Sequence, residues 1–113
     1  MATDLDRTLR GLAEPTRRRV VDHLRRGPRR AGELAAACGM SMPAMSRHLR
    51  VLRQCGLVEG GGLDDDARVR LYRLRPEPLG DLRAWLEQVQ AFWSGQLAAF
   101  KAHVEGKKKG RRA

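Results

Sequence analysis

The sequence lacks any long apolar run. No stretch approaches the roughly 20 uncharged apolar residues that a helix needs to cross a bilayer, and residues 1–6 show neither the basic start nor the apolar segment of a secretory signal peptide. We therefore expect a cytoplasmic protein. The 113 residues allow one modest hydrophobic core and no second one.

Cysteine is also scarce, with only Cys38 and Cys55. A reducing compartment and buried thiols explain these two residues more simply than a disulfide framework does, although a redox role stays open. The histidines His23 and His103 stand alone, without the paired spacing of metal ligands. No nucleophile–base arrangement and no phosphate-binding glycine loop is recognisable. We expect no metal, no cofactor and no catalysis.

Acidic residues are few relative to basic ones. There are 23 Lys+Arg against 13 Asp+Glu, for a formal net charge of +10. Twelve basic and five acidic residues lie in residues 1–56, and the C-terminal residues 105–113 are basic again. A localised basic surface attracts polyanions such as nucleic acid. Charge alone does not distinguish such a surface from a solvated arginine-rich face.

The spacing of apolar residues predicts three helices before residue 38. The first spans about Thr3 to Leu12, and the second opens at Pro15, whose missing N–H is harmless in a first turn. Gly27-Pro28 ends the second helix. A short third helix covers about Ala31 to Ala37, where Gly39 is placed to cap its end in a left-handed conformation.

A fourth helix begins after Ser41, which is a favourable N-cap residue. Its apolar residues Met45, Leu49 and Leu52 share one face, which we expect to be buried. Polar side chains occupy the opposite face, and Gly56 ends the helix. The residues at its start and on its outward side are Ser41, Met42, Pro43, Ser46, Arg47, Arg50 and Arg53. His48 lies on the flank, between the buried face and solvent.

The periodicity changes from helix to strand after Gly56. Residues 57–59 predict a short strand, residues 60–66 a flexible turn rich in glycine and aspartate, and residues 68–74 a second strand with alternating polar and apolar positions. We expect a β-hairpin in which Val69 and Leu71 face the core and the arginines face outward.

A long last helix is predicted from about Leu79 to Val104, after Pro76 and Pro78. Its apolar stripe could fill the protein's own core, but a helix of about 39 Å exceeds what one small domain covers. We therefore favour a dimer interface, since half of the stripe would otherwise be exposed. Residues 1–104 are expected to form one domain, and residues 105–113 a disordered basic tail. The predicted interface residues on this helix are Trp85, Val89, Phe92, Trp93 and Phe100.

Four helices, a hairpin and a fifth helix predict a mainly α fold with a small β-hairpin, in the order of a winged helix-turn-helix. Residues 32–49 contain the positioning helix, the tight turn and the second helix of such a unit. Arg47 and Arg50 are free to enter a major groove, where arginine can contact guanine O6 and N7. Arg53 is better placed for a phosphate, and His48 for either a DNA contact or a structural hydrogen bond.

Several short motifs resemble those of ArsR-family repressors. Residues 12–20 (LAEPTRRRV) are similar to the family opening L-A-D/E-P-T-R, and residues 41–52 (SMPAMSRHLRVL) to its recognition helix S-x-P-x-V/M-S-x-H-L-x-x-L. Residues 55–58 (CGLV) resemble the exit from that helix, and residues 70–74 (RLYRL) the second wing strand. The order and spacing of these motifs cover about residues 5–100.

The resemblance implies a homodimer that holds a pseudo-palindromic operator in double-stranded DNA. Its first helix, with Leu5 and Leu9, would join the last helix in the interface. Arg68 and Arg70 would lie on the wing, and Met42 stands where many members have glutamine. Metal-sensing members carry Cys-x-Cys-Asp-Leu at the third helix, whereas residues 30–34 here (RAGEL) contain no thiol.

We therefore expect a sequence-specific DNA-binding regulator that represses by occluding promoter DNA. Two alternatives stay open at this point. The chain could be a non-specific nucleoid-type DNA-binding protein, or a winged-helix adaptor that binds other proteins.

Overall fold

The computed structural model describes residues 3–60 and 71–111, with side chains through residue 106. It confirms the predicted mainly helical winged helix-turn-helix fold. None of the described helices has an apolar segment long enough to cross a membrane. The elements, in chain order, are α1 (Asp4–Leu12), α2 (Pro15–Leu24), β1 (Arg29–Arg30), α3 (Ala31–Cys38), α4 (Met42–Gln54), β2 (Val58–Gly60), β3 (Leu71–Leu74) and α5 (Pro76–Arg111).

Side-chain caps fix the beginnings of the helices. Thr3 and Asp6 form a reciprocal capping box at α1, with N···O distances of 3.1 and 2.9 Å. The Glu14 carboxylate accepts the backbone N–H of Arg17 at 2.9 Å and so caps α2, whose first residue is Pro15. Each cap satisfies a backbone donor that the helix itself leaves without a partner.

A single hydrophobic core lies beneath the helices of residues 1–81. Val20 and Leu24 of α2, Leu34 of α3 and Leu57 are almost entirely buried there. The three apolar residues predicted for the inner face of α4 join them. Because α4 buries this face, its opposite side is left toward solvent.

The sheet has three antiparallel strands in the order β1-β3-β2, one more than the predicted hairpin. The additional strand β1 pairs Arg29 with Tyr72 and Arg30 with Leu71. Two residues are too short for an alternating pattern, so the sequence around Gly27-Pro28 gave no strand signal. On the other side of β3, Val58 pairs with Leu74.

The predicted inward face of β3 was wrong. Leu71 is 38 % exposed, whereas Tyr72 is only 7 % exposed and Leu74 is half-buried. Side chains alternate between the two faces of a strand, so Leu71 and Arg73 lie on the same face. Because Arg73 points to solvent, Leu71 does so too, and Tyr72 and Leu74 point to the core. Val69, for which an inward direction was also expected, lies outside the described residues.

The last helix is longer at both ends than predicted. It begins at Pro76. Proline is tolerated at this position because the N–H groups of the first turn have no acceptor within the helix. Its backbone stays helical through Arg111, where disorder was expected from residue 105. No proline follows Val104, and basic side chains near a helix C-terminus are favourable for the helix dipole. The boundary of the domain at residue 104 stays a prediction, since the described chain divides into compact units of residues 1–81 and 82–113.

Candidate nucleic-acid interface

Helix α4 is held firmly by its cap and its inner face. Ser41 adopts an extended backbone and its hydroxyl accepts the N–H of Ala44 at 3.3 Å, as expected for the N-cap. Met45, Leu49 and Leu52 are each at most 1 % exposed. The direction of every other side chain on α4 follows from these contacts.

The outward face of α4 is basic and accessible. Helix α4 contains no aspartate or glutamate. Among the described residues, no carboxylate oxygen lies within 4.0 Å of a guanidinium nitrogen of Arg47, Arg50 or Arg53, so none of the three forms an ion pair there. Their guanidinium groups are therefore available to an external anion or base edge. The predicted outward residues that the structure leaves exposed are Ser41, Met42, Pro43, Ser46, Arg47, Arg50 and Arg53.

The wing is described at its base only. Strands β2 and β3 pair Glu59 with Arg73, and both side chains are exposed. The predicted wing residues Arg68 and Arg70 lie outside the described residues. Their contribution to a nucleic-acid surface stays a prediction.

A second predicted surface lies on α5. Its apolar side chains are exposed to a degree that is unusual for residues of this type: Phe92 is 70 %, Phe100 68 % and Trp93 61 % exposed. Trp85 and Val89 are 41 % and 46 % exposed. In the first compact unit, α1 leaves Leu9 exposed and Leu5 half-buried.

Comparisons with known proteins agree with this geometry. A model of a helix-turn-helix domain family matches residues 12–60. The HTH-type transcriptional regulator Rv2034 of Mycobacterium tuberculosis is 38 % identical over 101 residues, which cover 88 % of both chains. An ArsR-like transcriptional regulator from Rhodococcus sp. RHA1 is 30 % identical, with a TM-score of 0.75 over 91 % of this chain and 92 % of that one.

A further solved structure is that of the winged helix-turn-helix DNA-binding domain Mb0332 from Mycobacterium bovis, a homodimer and a possible ArsR-family regulator. It is 30 % identical, with a TM-score of 0.60 over 78 % of this chain and 79 % of that one. The chain belongs to the ArsR family of transcriptional regulators. It is thus a DNA-binding regulator, and its family is not one of enzymes.

His48 of this ArsR-family chain has a partner that sequence reasoning missed. Its Nδ1 lies 3.7 Å from Oε2 of Glu14, the residue that caps α2, and its side chain is 22 % exposed. A DNA contact and a structural role were both considered for His48, and this contact favours the structural role. The sequence marks Glu14 as an N-cap, because it directly precedes a proline at the first helical position, but it contains no signal for the contact with His48, which is a tertiary one.

Three consecutive arginines of α2 donate to main-chain carbonyls. Arg17 reaches the carbonyls of Gly11 and Arg10 at 2.8 and 3.1 Å, and Arg18 reaches that of Leu12 at 2.7 Å. Arg19 reaches Ala37 at the end of α3 at 3.5 Å. Cationic side chains at helix C-termini satisfy carbonyls and complement the helix dipole. Part of the basic charge of the N-terminal half therefore stabilises the fold.

Ligand clusters for a metal were not expected in this ArsR-family chain. Within residues 3–60 and 71–106, no three side chains of histidine, cysteine, aspartate or glutamate are grouped so that they could hold a metal ion. Cys38 and Cys55 are both buried free thiols.

Proposed function

We propose that two copies of this chain bind a pseudo-palindromic operator in the cytoplasm and repress transcription by occluding the promoter. The observation that carries the proposal is the outward face of α4. It combines an exposed, carboxylate-free arginine surface with a helix that is fixed by its cap and its buried face. A helix so held can enter a major groove without losing its own packing.

The reading of bases belongs to Ser46, Arg47 and Arg50 in this proposal. All three lie opposite the buried residues of α4: Ser46 and Arg47 in its N-terminal half, which is the part of a recognition helix that reaches base edges, and Arg50 one turn after Ser46. Met42, 47 % exposed at the first turn, is suited to contact a thymine methyl group. Arg53, nearer the end of the helix, would meet a phosphate.

The wing would act as a clamp on the DNA backbone. Arg68 and Arg70 precede β3 in the sequence and, as wing residues, would contact phosphates or the minor groove. Phosphate contacts position a protein on DNA but carry no base preference. The recognition helix and the wing should therefore respond differently to mutation.

Dimerisation supports the operator geometry. A two-fold protein requires two half-sites about one helical turn apart. The exposed aromatic side chains of α5 offer a surface for a second copy, and the relative Mb0332 is itself a homodimer.

Footprinting on the DNA upstream of the gene and of its neighbours tests this function. A protected inverted repeat is the expected result. A continuous, sequence-independent protection would indicate the nucleoid-type alternative, and binding that is absent at all salt concentrations would indicate the adaptor.

Salt titrations of binding then separate the two kinds of contact. Arg47→Ala should weaken operator binding by about 1–3 kcal/mol and blur the base preference. Arg70→Ala should weaken operator and random DNA alike and lower the slope of log K against log salt by about one. Arg83→Ala, which removes an exposed charge from α5, is the control and should change neither quantity. A result in which Arg70→Ala alone erased sequence preference would reverse the assignment of reader and clamp.

A further inference from the structure

Arg30 occupies a place in the fold that nothing so far explains. It ends strand β1 and pairs with Leu71, the first residue of β3 and the one that directly follows the wing segment 61–70 in the sequence. It also directly precedes α3, the first helix of the helix-turn-helix. Arg30 thus lies where the base of the wing meets the start of this unit.

Nothing within the described residues gives the charge of Arg30 a role in stabilising the fold. Arg30 is the N-cap residue of α3, yet its side chain makes no capping hydrogen bond. A cation at a helix N-terminus is unfavourable for the helix dipole, and arginine is not among the residues that cap well. Within the described residues its guanidinium has no carboxylate partner within 4.0 Å, and the side chain is exposed.

The nearest acidic residue along the chain is already engaged. Glu33 accepts the backbone N–H of Arg30 through Oε1 at 3.2 Å, so the carboxylate is directed to the main chain. A local conflict between residue type and structure of this kind marks a position whose residue serves something other than stability.

Arg29 gives a matched contrast on the same strand. Its side chain is half-buried, and its Nη1 donates to the carbonyl of Pro28 at 3.0 Å. Because neighbours on a strand point to opposite faces, the two arginines cannot serve the same surface. One of them is held by its own loop, and the other faces solvent.

We propose that Arg30 is a third contact to the DNA backbone, which binds a phosphate beside those met by the recognition helix and the wing. The inference rests on the proposed function. It extends the DNA surface to strand β1, which the family motifs in the sequence did not include. A flexible cation at this position would add affinity without base preference, because phosphates are common to all sequences.

The test is a salt titration of DNA binding for Arg30→Gln, Arg30→Lys and Arg29→Gln, on the footprinted operator and on a random duplex of the same length. Arg30→Gln should weaken both DNAs by a similar factor, about three- to tenfold, and reduce the slope of log K against log salt by about 0.9. Arg30→Lys should keep the slope, because it keeps the charge. Arg29→Gln should leave the slope unchanged, although it removes the same net charge.

Two outcomes would overturn this inference and leave the proposed function intact. The first is an unchanged salt slope for Arg30→Gln with normal operator binding, and the second is an equal loss of DNA affinity in Arg29→Gln and Arg30→Gln. The second would show a general effect of net charge. Circular dichroism of each variant establishes that the fold is intact. Failure of the wild-type protein to bind any DNA would instead overturn the proposed function, and this inference with it.

Discussion

At the scale of single residues, the arginines of this chain divide into two groups by their partners. Arg17, Arg18 and Arg19 donate to carbonyls at the ends of α1 and α3, whereas Arg47 and Arg50 face solvent without an ion pair among the described residues. Charge counts treat both groups alike. Net charge therefore indicated a polyanion partner but could not say which arginines would meet it.

Replacement of Arg17 tests the structural group. Arg17→Ala removes two charge-assisted hydrogen bonds to the end of α1 and takes this donor from the partly buried Gly11 carbonyl, whereas the Arg10 carbonyl still accepts the N–H of Ala13, so we expect a loss of about 1.5–3 kcal/mol in the free energy of unfolding. Urea unfolding at a fixed protein concentration measures it. Arg25→Ala at the C-cap of the same helix, which removes only an exposed pair with Asp22 at 3.9 Å, should change stability by less than about 0.5 kcal/mol. Equal losses would contradict the capping role of Arg17.

Glu14 gives the stability of the protein a dependence on pH. Partial burial disfavours its charged form, but hydrogen bonds from the backbone of Arg17 and Thr16, with the nearby His48 imidazole, favour that form more strongly and hold the pKa of Glu14 below its ordinary value. A carboxylate whose pKa falls on folding stabilises the protein above its unfolded pKa, and the contribution is lost as the pH falls through the folded pKa.

The variant Glu14→Gln isolates this contribution. It should lower the free energy of unfolding by about 0.5–1 kcal/mol at neutral pH, because the cap loses its charge. The difference from the wild type should shrink as the pH is lowered through the carboxylate range. Denaturant unfolding at several pH values measures it, and a difference that persisted in acid would show that the charge of Glu14 has no part in the cap.

At the scale of helices and strands, sequence signals located the capped helices well. Ser41, Pro15 and Gly39 mark ends of α4, α2 and α3 by local chemistry that needs no tertiary contact, and Gly39 has the expected left-handed φ of 63°. The outward face of α4 followed from the same helical periodicity: the side chains placed opposite the buried residues are exposed, and His48, placed on the flank between core and solvent, is half-buried.

The elements that sequence reasoning missed depend on tertiary pairing. Strand β1 exists because β3 offers it a partner, and the inward side of β3 is set by packing of Tyr72 rather than by the apolar character of Leu71. The contact of His48 with Glu14 joins residues that are distant in the sequence. Periodicity carries no information on such contacts, whereas it sufficed to predict the face of a regular helix.

The packing of α1 against the segment between α4 and β2 depends on Gly11. A Cβ atom at this position would lie 2.6 Å from Cδ1 of the fully buried Leu57 and 3.3 Å from Cβ of Cys55. Gly11→Ala should therefore destabilise the protein by about 1–3 kcal/mol, because the fully buried Leu57 side chain would have to shift within the packed core to make room. Gly32→Ala in α3 is the control, since a Cβ there meets nothing within 4 Å, and it should be neutral or slightly stabilising. Thermal unfolding compares the two, and a stabilised Gly11→Ala variant would refute the tight packing.

At the scale of the whole molecule, charge and apolar surface are segregated along the chain. The exposed arginines of α4 lie in the first compact unit, whereas the most exposed aromatic side chains lie on α5 in the second. Exposed apolar patches on a monomer mark surfaces that another molecule covers. This division fits the proposed function, in which one surface binds DNA and another joins two copies of the chain.

The last prediction concerns that self-association. The double variant Trp93→Asp with Phe100→Asp places two carboxylates where side chains are 61 % and 68 % exposed in one chain and would be buried between two. Burial of an unpaired charge costs several kcal/mol, so sedimentation should show a monomer of 12.7 kDa where the wild type is a dimer. The matched control is Ala91→Asp with Ala98→Asp, which adds the same charge at two exposed positions on the opposite side of α5, with the same spacing along the helix, and should remain dimeric. If the aromatic variant stays dimeric, the interface lies elsewhere. If both variants dissociate, the copies are separated by the added charge on α5 and not by the loss of an apolar contact.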